Sequence, residues 1–403
     1  TAFYPTGFPT PGGGPISMDR NAGRPARQYQ WSAGLQREIF KDLVVEASYV
    51  GNRGIWWQAP GLVDYNAISY DRLKAFGLDP INSAADRALL TSLVSSATAA
   101  QRGFNRLPYV GFPTGQTVSQ ALRPFPQFTT IGIAWDPLGN TWYDSLQVKA
   151  TKRLSHGLSA TSTFTWQKNL ATGAEREPNF GTAASGQAND VFNRSLNKYI
   201  SQYSQPLSFL LSVNYITPKI QGNKWLSLAL QDWTTGLFLA YRSGLPILVP
   251  GAQTTPSLSS LVQQATFANR VPGQPLFLKD LDCHCFDPRN EFVLNQAAWS
   301  DPLPGTFATS TAYYADYRQQ RRPQENLNFG RTFRMSERVS LNVRAEFTNI
   351  FNRAQISNPI STNATTSQLT RNANGTTQAG FGSLQPSTTL RARDGLLVAR
   401  IQF

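Results

Sequence analysis

Nine stretches of this chain alternate apolar and polar residues with a period of two, and that pattern constrains the fold more than any other feature. Tyr29, Trp31, Ala33 and Leu35 alternate with Gln28, Gln30, Ser32 and Gln36. Leu43, Val45, Ala47 and Tyr49 oppose Glu46 and Ser48. Leu146, Val148 and Ala150 oppose Ser145, Gln147, Lys149 and Thr151. Leu158, Ala160, Phe164 and Trp166 oppose Ser159, Thr161, Thr163 and Thr165. Further runs carry Leu207–Tyr215, Trp233–Tyr241, Leu327–Phe333 and Val339–Phe347, and the last is Leu397, Ala399, Ile401 and Phe403. Successive side chains of a strand point to opposite faces, so each run reads as a strand with one apolar and one polar side. Each is about 10 to 15 residues long, where soluble strands run about 5 or 6 and a bilayer-crossing strand needs about 9 to 11.

The connections alternate in length. Short ones fall at 39–42, 155–157 and 335–337, with a medium one at 218–232; long ones run over about 52–140, 168–205, 243–323 and 352–388. Outer-membrane barrels have short periplasmic turns and long extracellular loops. A soluble sandwich has no reason to sort its loops this way. Gln127–Trp135, "QFTTIGIAW", also looks extended, but counting it as a span breaks the alternation, so it belongs to the first long loop. The expected fold is an all-β, antiparallel, up-and-down transmembrane β-barrel segment of about nine or ten long strands.

Composition agrees. Of 403 residues, 15% are charged and 12% aromatic, against roughly a quarter charged in ordinary soluble domains. No apolar run is long enough for a transmembrane helix. The aromatics fall at strand ends. Tyr29, Trp31, Tyr49, Phe164, Trp166, Phe209, Tyr241 and Phe347 mark one rim, and Tyr215, Trp233, Phe333 and Phe403 the other. Two aromatic girdles around Leu, Val and Ala suit a bilayer. A β-sandwich would concentrate its aromatics mid-strand. The net charge of +13 is dispersed, with no Lys/Arg block; it fits an anionic envelope surface such as lipopolysaccharide, and nucleic acid is not an expected partner. "TAFYPTGFPTPGGGP" has neither the charged start nor the apolar core of a signal peptide, so any targeting signal is expected to be cleaved or upstream.

Little here suggests catalysis. The two histidines, His156 in a short turn and His284 in a long loop, lie on opposite rims, and no G-x-S-x-G or H-E-x-x-H occurs. "PGGGP" at 11–15 neither follows a strand nor opens a helix, so it reads as a flexible loop. In "LDCHCFDP" the spacing of Cys283 and Cys285 leaves three readings open: a local disulfide, which is favoured, free thiols, or metal ligation with His284 and Asp287. Within the first long loop, Ser83 and Asp86 suggest a capping box, and Leu89, Leu90, Leu93, Val94 and Ala97 have helical spacing. This is expected to be a helix packed against neighbouring loops.

The wording of several stretches is family-like. "QYQWSAGLQREIFKDLVVEASYVGNRG", "LRPFPQF", "WYDSLQVKATKRLSHGLSATSTFTWQKNL", "RVSLNVRAEFTNIFNR" and the terminal aromatic together span almost the whole chain. In that order they resemble the C-terminal barrel portion of TonB-dependent outer-membrane receptors, the Oar-like group common in Acidobacteria. The resemblance implies that residues 1–403 are part of a barrel of about 22 strands, with a plug and a carboxypeptidase-regulatory-like domain upstream. It implies location in the Gram-negative outer membrane and energisation by a TonB–ExbB–ExbD complex through the plug. Phe403 is similar to the terminal aromatic read by the barrel-assembly machinery. The strands near Gln30 and Arg400 are then expected at the two edges of an open sheet.

On this reading Glu46, Lys149, Arg153, Arg242, Arg344, Glu346 and Arg400 face the lumen, as a polar wall packing against the plug or as solute contacts. Selection of an unknown solute is expected in the long loops. No catalytic residue, metal site or cofactor is expected. An adhesin or structural barrel, binding envelope or matrix polymers through its loops, is the alternative function; an outer-membrane hydrolase is disfavoured.

Overall fold

In the computed structural model the described residues are 11–13, 19–59, 62–131, 136–173, 190–218, 224–252, 267–283, 285–288, 290–303, 306–336, 338–368, 379–384 and 392–403. His284 and Glu337 lie outside them. The nine runs all form strands: β1 Arg27–Phe40, β2 Leu43–Trp57, β3 Gly139–Ser155, β4 Leu158–Thr172, β5 Leu207–Ile216, β6 Trp233–Arg242, β7 Gln324–Arg334, β8 Ser340–Thr348 and β9 Asp394–Gln402. Each pairs antiparallel with its sequence neighbour, giving one sheet in the order β1 to β9. A short strand, Lys198–Ile200, adds to β4. Among the described residues β1 and β9 have one partner each and stand at the two edges, as the sequence predicts.

The short connections share one rim. The Asp42 carbonyl accepts from the Arg153 amide at 2.7 Å, and the Gly157 carbonyl from the Ile216 amide at 2.8 Å, so adjacent turns are tied together. His156 and Gly157 form a two-residue turn with φ of 52° and 80°, the double positive φ that a tight hairpin needs. A Cβ on Gly157 would overlap the Ile216 carbonyl oxygen. Gly157→Ala should therefore lose about 1–3 kcal/mol, read as a lower denaturation midpoint of the folded barrel.

Register separates the faces cleanly. Leu35 lies opposite Ala47, which lies opposite Val148, then Phe164, Phe209 and Tyr241. Leu237, Leu327 and Phe347 continue this face across β6 to β8, and Ala345 opposite Leu397 carries it to β9. The other face presents Gln36, Glu46, Lys149, Thr163, Asn214, Gly236, Asn328 and Arg344. The apolar face is not packed on a second sheet: Leu35 is 84% exposed, Leu397 75% and Ile401 62%. This excludes a sandwich among the described residues, because a sandwich buries that face.

The buried hydrophobic residues lie almost entirely in the loops. One core joins the loop between β6 and β7 to the loop after β8, around Val249, Leu294, Trp299, Tyr317 and Phe381. A second fills the loop between β2 and β3, around Leu73, Leu89, Leu90, Val94 and Val118.

Several boundaries differ from the sequence reading. The first long loop is shorter than 52–140, because β2 runs on to Trp57; the second begins after Thr172, not at 168. The fourth spans 349–393. The medium connection contains a helix, Lys224–Leu230. Within 127–135, Phe128–Thr130 pairs with Gly12–Gly13 outside the main sheet, so the stretch is no span, as expected, while Gly12–Gly13 is a short strand and not simply loop. The single helix expected after Ser83 is two, Ala84–Thr91 and Ala97–Gln101; between them Leu93 bridges to Thr117 and is 46% exposed.

Candidate ligand-facing surface

All seven polar-wall residues fall on the polar face by strand register and alternation. They do not form one cluster. Glu46 and Lys149 are cross-strand neighbours on β2 and β3. Arg344 donates from Nε to Glu346 Oε1 at 2.6 Å on β8. Arg400 lies opposite Asn342, whose amide donates to Thr332 Oγ1 at 2.9 Å. Arg153 sits at the turn rim, and Arg242 ends β6 at the loop rim. Opposite charges on facing strands stabilise the wall by about 0.2–1 kcal/mol a pair while leaving it hydrated.

A depression of about 340 Å³ opens on this face, lined by Ser212, Asn214, Phe238, Asn326, Asn328 and Glu346. Gly236 creates it: lacking a side chain, it leaves room that the Asn328 amide enters, and a Cβ there would overlap that amide. Amides, a hydroxyl and one carboxylate beside a single ring suit a neutral, hydroxyl-rich surface by hydrogen bonding.

At the loop rim a groove of about 600 Å³ runs between Phe277–Asp282 and Ala315–Arg321. Lys279, Asp280, Asp282, Asp316, Arg318 and Arg321 line it. Arg318 is held by carbonyls of Ser204, Gly244 and Ala315 at 2.6, 3.0 and 2.8 Å, and burial lowers its pKa from the ordinary guanidinium value. Beside the groove Cys283 and Cys285 form a disulfide, with Cα atoms 5.1 Å apart. Of the three readings left open, this is the one realised. No group of three or more His, Cys, Asp or Glu among the described residues is arranged to hold a metal ion.

The loop between β2 and β3 is braced by buried polar groups. Arg123 donates from Nη1 to the Asn66 carbonyl at 2.8 Å and from Nε to Gln120 at 3.1 Å. Ser83 caps its helix by accepting from the Asp86 amide at 3.1 Å. Asp86 does not complete a capping box; it accepts from the Asp79 amide at 2.7 Å and Arg102 Nη2 at 2.6 Å. Burial pushes the Asp86 pKa up, but those two donors and Ser83 outweigh it and hold the carboxyl below its ordinary range. Asp79 is lowered too, chiefly by the Asn82 amide, with Tyr70 helping. Depressed carboxylates stabilise the fold at neutral pH, and that contribution is lost as pH falls through the depressed values. Amide-exchange protection of Leu89 and Leu90 should therefore hold down to about pH 4 and collapse below it; in Asp86→Asn the drop should be shallower.

Two further clusters sit on the apolar face, at the loop rim. Tyr49 donates to Asp144 Oδ1 at 2.7 Å, and Arg53 meets Oδ2 at 3.2 Å. Tyr241 donates to Glu325 Oε1 at 2.8 Å, and Arg353 Nε reaches both Glu325 oxygens at 2.9 and 2.7 Å. Arg331 also shares the apolar phase, near the turn rim, where its guanidinium lies 5.5 Å from the Trp233 ring and 4.9 Å from that of Phe333. The expectation that charge keeps to the polar face fails at these three places. Each charge lies near a strand end, within reach of water or sheathed by rings. The signal was available: an acid or arginine on the apolar beat of an otherwise clean alternation.

The family model for an outer membrane beta barrel domain matches residues 2–394. No curated protein matches the sequence. The chain is similar in structure to the outer membrane transporter YddB from Escherichia coli, at 10% identity and a TM-score of 0.41, over 97% of this chain and 34% of that one. It is similar to the Ferric-Catecholate import receptor Fiu from Escherichia coli K12, at 9% identity and a TM-score of 0.36, over 97% and 29%. It is also similar to the siderophore receptor PirA from Acinetobacter baumannii, at 11% identity and a TM-score of 0.22, over 96% and 53%. The chain thus spans about a third of the first two of these proteins.

Proposed function

The chain belongs to the outer membrane β-barrel domain family, which places it in the outer membrane, and from that premise we propose that it forms part of the wall of a TonB-dependent transporter of the Oar-like type. Such a barrel passes a large or scarce solute and is energised by TonB–ExbB–ExbD through a plug. The observation that carries this reading is the polar face. Nine strands present a continuous hydrated surface of Gln, Asn, Ser and Thr, opposite a lipid-compatible one. A barrel that served only as an anchor would need no such wide wetted wall; a plug or a passing solute does.

The edges support further strands in the whole protein. Unpaired backbone groups are costly in hydrocarbon, and only closure removes them. The seven charged residues of the polar wall are proposed as plug or solute contacts, and Phe403 as the residue that the barrel-assembly machinery reads.

Deletion of the gene tests the proposal. On sole nutrients drawn from maltodextrins, casein peptides and ferric citrate, the deletion strain should lose growth on at least one, and a TonB-deficient strain should lose the same one. Unchanged growth together with lost adhesion to matrix polymers would sink the transport reading, because rigid, separately cored loops also suit an adhesin.

A further inference from the structure

A second cavity, of about 460 Å³, lies at the loop rim on the apolar side of the wall. Its floor is Phe164, Leu207, Phe209 and Tyr241. Phe164 pairs with Phe209 and Phe209 with Tyr241, so these three rings share one face across three strands. The Phe209 and Tyr241 rings stack with centroids 6.5 Å apart. Leu207 is half exposed. Above the floor stand three guanidinium groups, from Arg242, Arg321 and Arg353.

We propose that this groove binds a phosphorylated, acylated glycolipid of the outer leaflet, the lipid A portion of lipopolysaccharide, with an acyl chain on the rings and a phosphate on the arginines. The reading rests on the outer-membrane location alone and is independent of what the barrel transports. The floor belongs to the face that meets hydrocarbon, so a dissolved solute would have to leave water to reach it, whereas a lipid is already there. The charges are arranged for an anion. Arg353 gives Nε to Glu325, and Arg321 gives Nε to Asp282 Oδ2 at 2.7 Å. Both carboxylates sit on the Nε side. Among the described residues neither arginine makes a hydrogen bond through its Nη1 group, and Arg242 has no ion pair. Three cations against two carboxylates leave the groove net positive. Each carboxylate fixes a guanidinium while its outer N–H groups stay available for a phosphate, which such forks grip with two hydrogen bonds. Acyl packing on the rings adds about 0.8 kcal/mol for each buried methylene.

The test uses the full-length protein, extracted from outer membranes in mild detergent and weighed by native mass spectrometry. Wild type should retain one lipid A-bearing glycolipid. Arg242→Gln combined with Arg321→Gln should cut retention about tenfold or more, as should Phe209→Gln, while Arg106→Gln in a distant loop should not. Heat-modifiable migration of each variant shows that the barrel has assembled. Retention unaffected by these variants would overturn the proposal. So would exchange of the bound lipid for phosphatidylglycerol without preference, or its displacement by millimolar inorganic phosphate alone.

Discussion

An arginine at Leu211 should cost the assembled barrel about 2–4 kcal/mol, the price of a guanidinium near the bilayer midplane, whereas one at the adjoining Ser212 should cost little. Leu211 lies between Phe209 and Tyr215 on the apolar face, opposite Ser162 and Leu239. Ser212 is on the polar face, opposite Thr161 and Phe238, and lines the Gly236 depression. The comparison isolates the environment, because neighbours on one strand share backbone pairing and depth. Urea midpoints of the two variants in the same vesicles measure the difference. Equal losses would mean that both faces meet the same medium.

The second large effect is expected at Arg353. Glu325 is 1% exposed and occupies an apolar-phase position of β7; Arg353 and the Tyr241 hydroxyl are its partners. Arg353→Ala strips the carboxylate of its charged donor and should lose about 1–3 kcal/mol, the cost of a buried group left partly unsatisfied. Glu325→Gln in the same background should recover much of that, because an amide keeps the shape without the charge. A double-mutant cycle on denaturation midpoints measures the coupling. No coupling would show that the pair is an exposed ion pair of negligible worth.

The wall was legible in the sequence because one physical rule repeats along it. Alternation at Leu146–Ala150 or Val339–Phe347 fixes which side chains share a face, and loop length fixes which ends share a rim. The strand ends were less legible. In "GNRGIWW" at 51–57 glycines interrupt the beat, and β2 nevertheless continues because Gly54 and Ile55 pair with Thr141 and Asn140. The loop cores were hardly legible. Burial of Arg123 depends on Asn66, 57 residues away, and no local pattern encodes that contact. Leu93 has the spacing of a helical core residue, yet it leaves the helix to bridge Thr117. Arg353 reaches Glu325 from the loop after β8, so the acid's odd phase was visible and its partner was not. The spacing of Cys283 and Cys285 admitted three chemistries until the backbone set them at disulfide distance.

The central claim is that lipid covers one face of this sheet and water the other. Nitroxide labels placed singly from Ser208 to Tyr215 on β5, in the protein reconstituted in vesicles, test it most directly. Accessibility to oxygen, which concentrates in hydrocarbon, should peak at 209, 211, 213 and 215. Accessibility to a water-soluble nickel chelate should peak at 208, 210, 212 and 214, in opposite phase. Oxygen and chelate profiles that rise and fall together, or oxygen maxima at the even positions, would contradict the account.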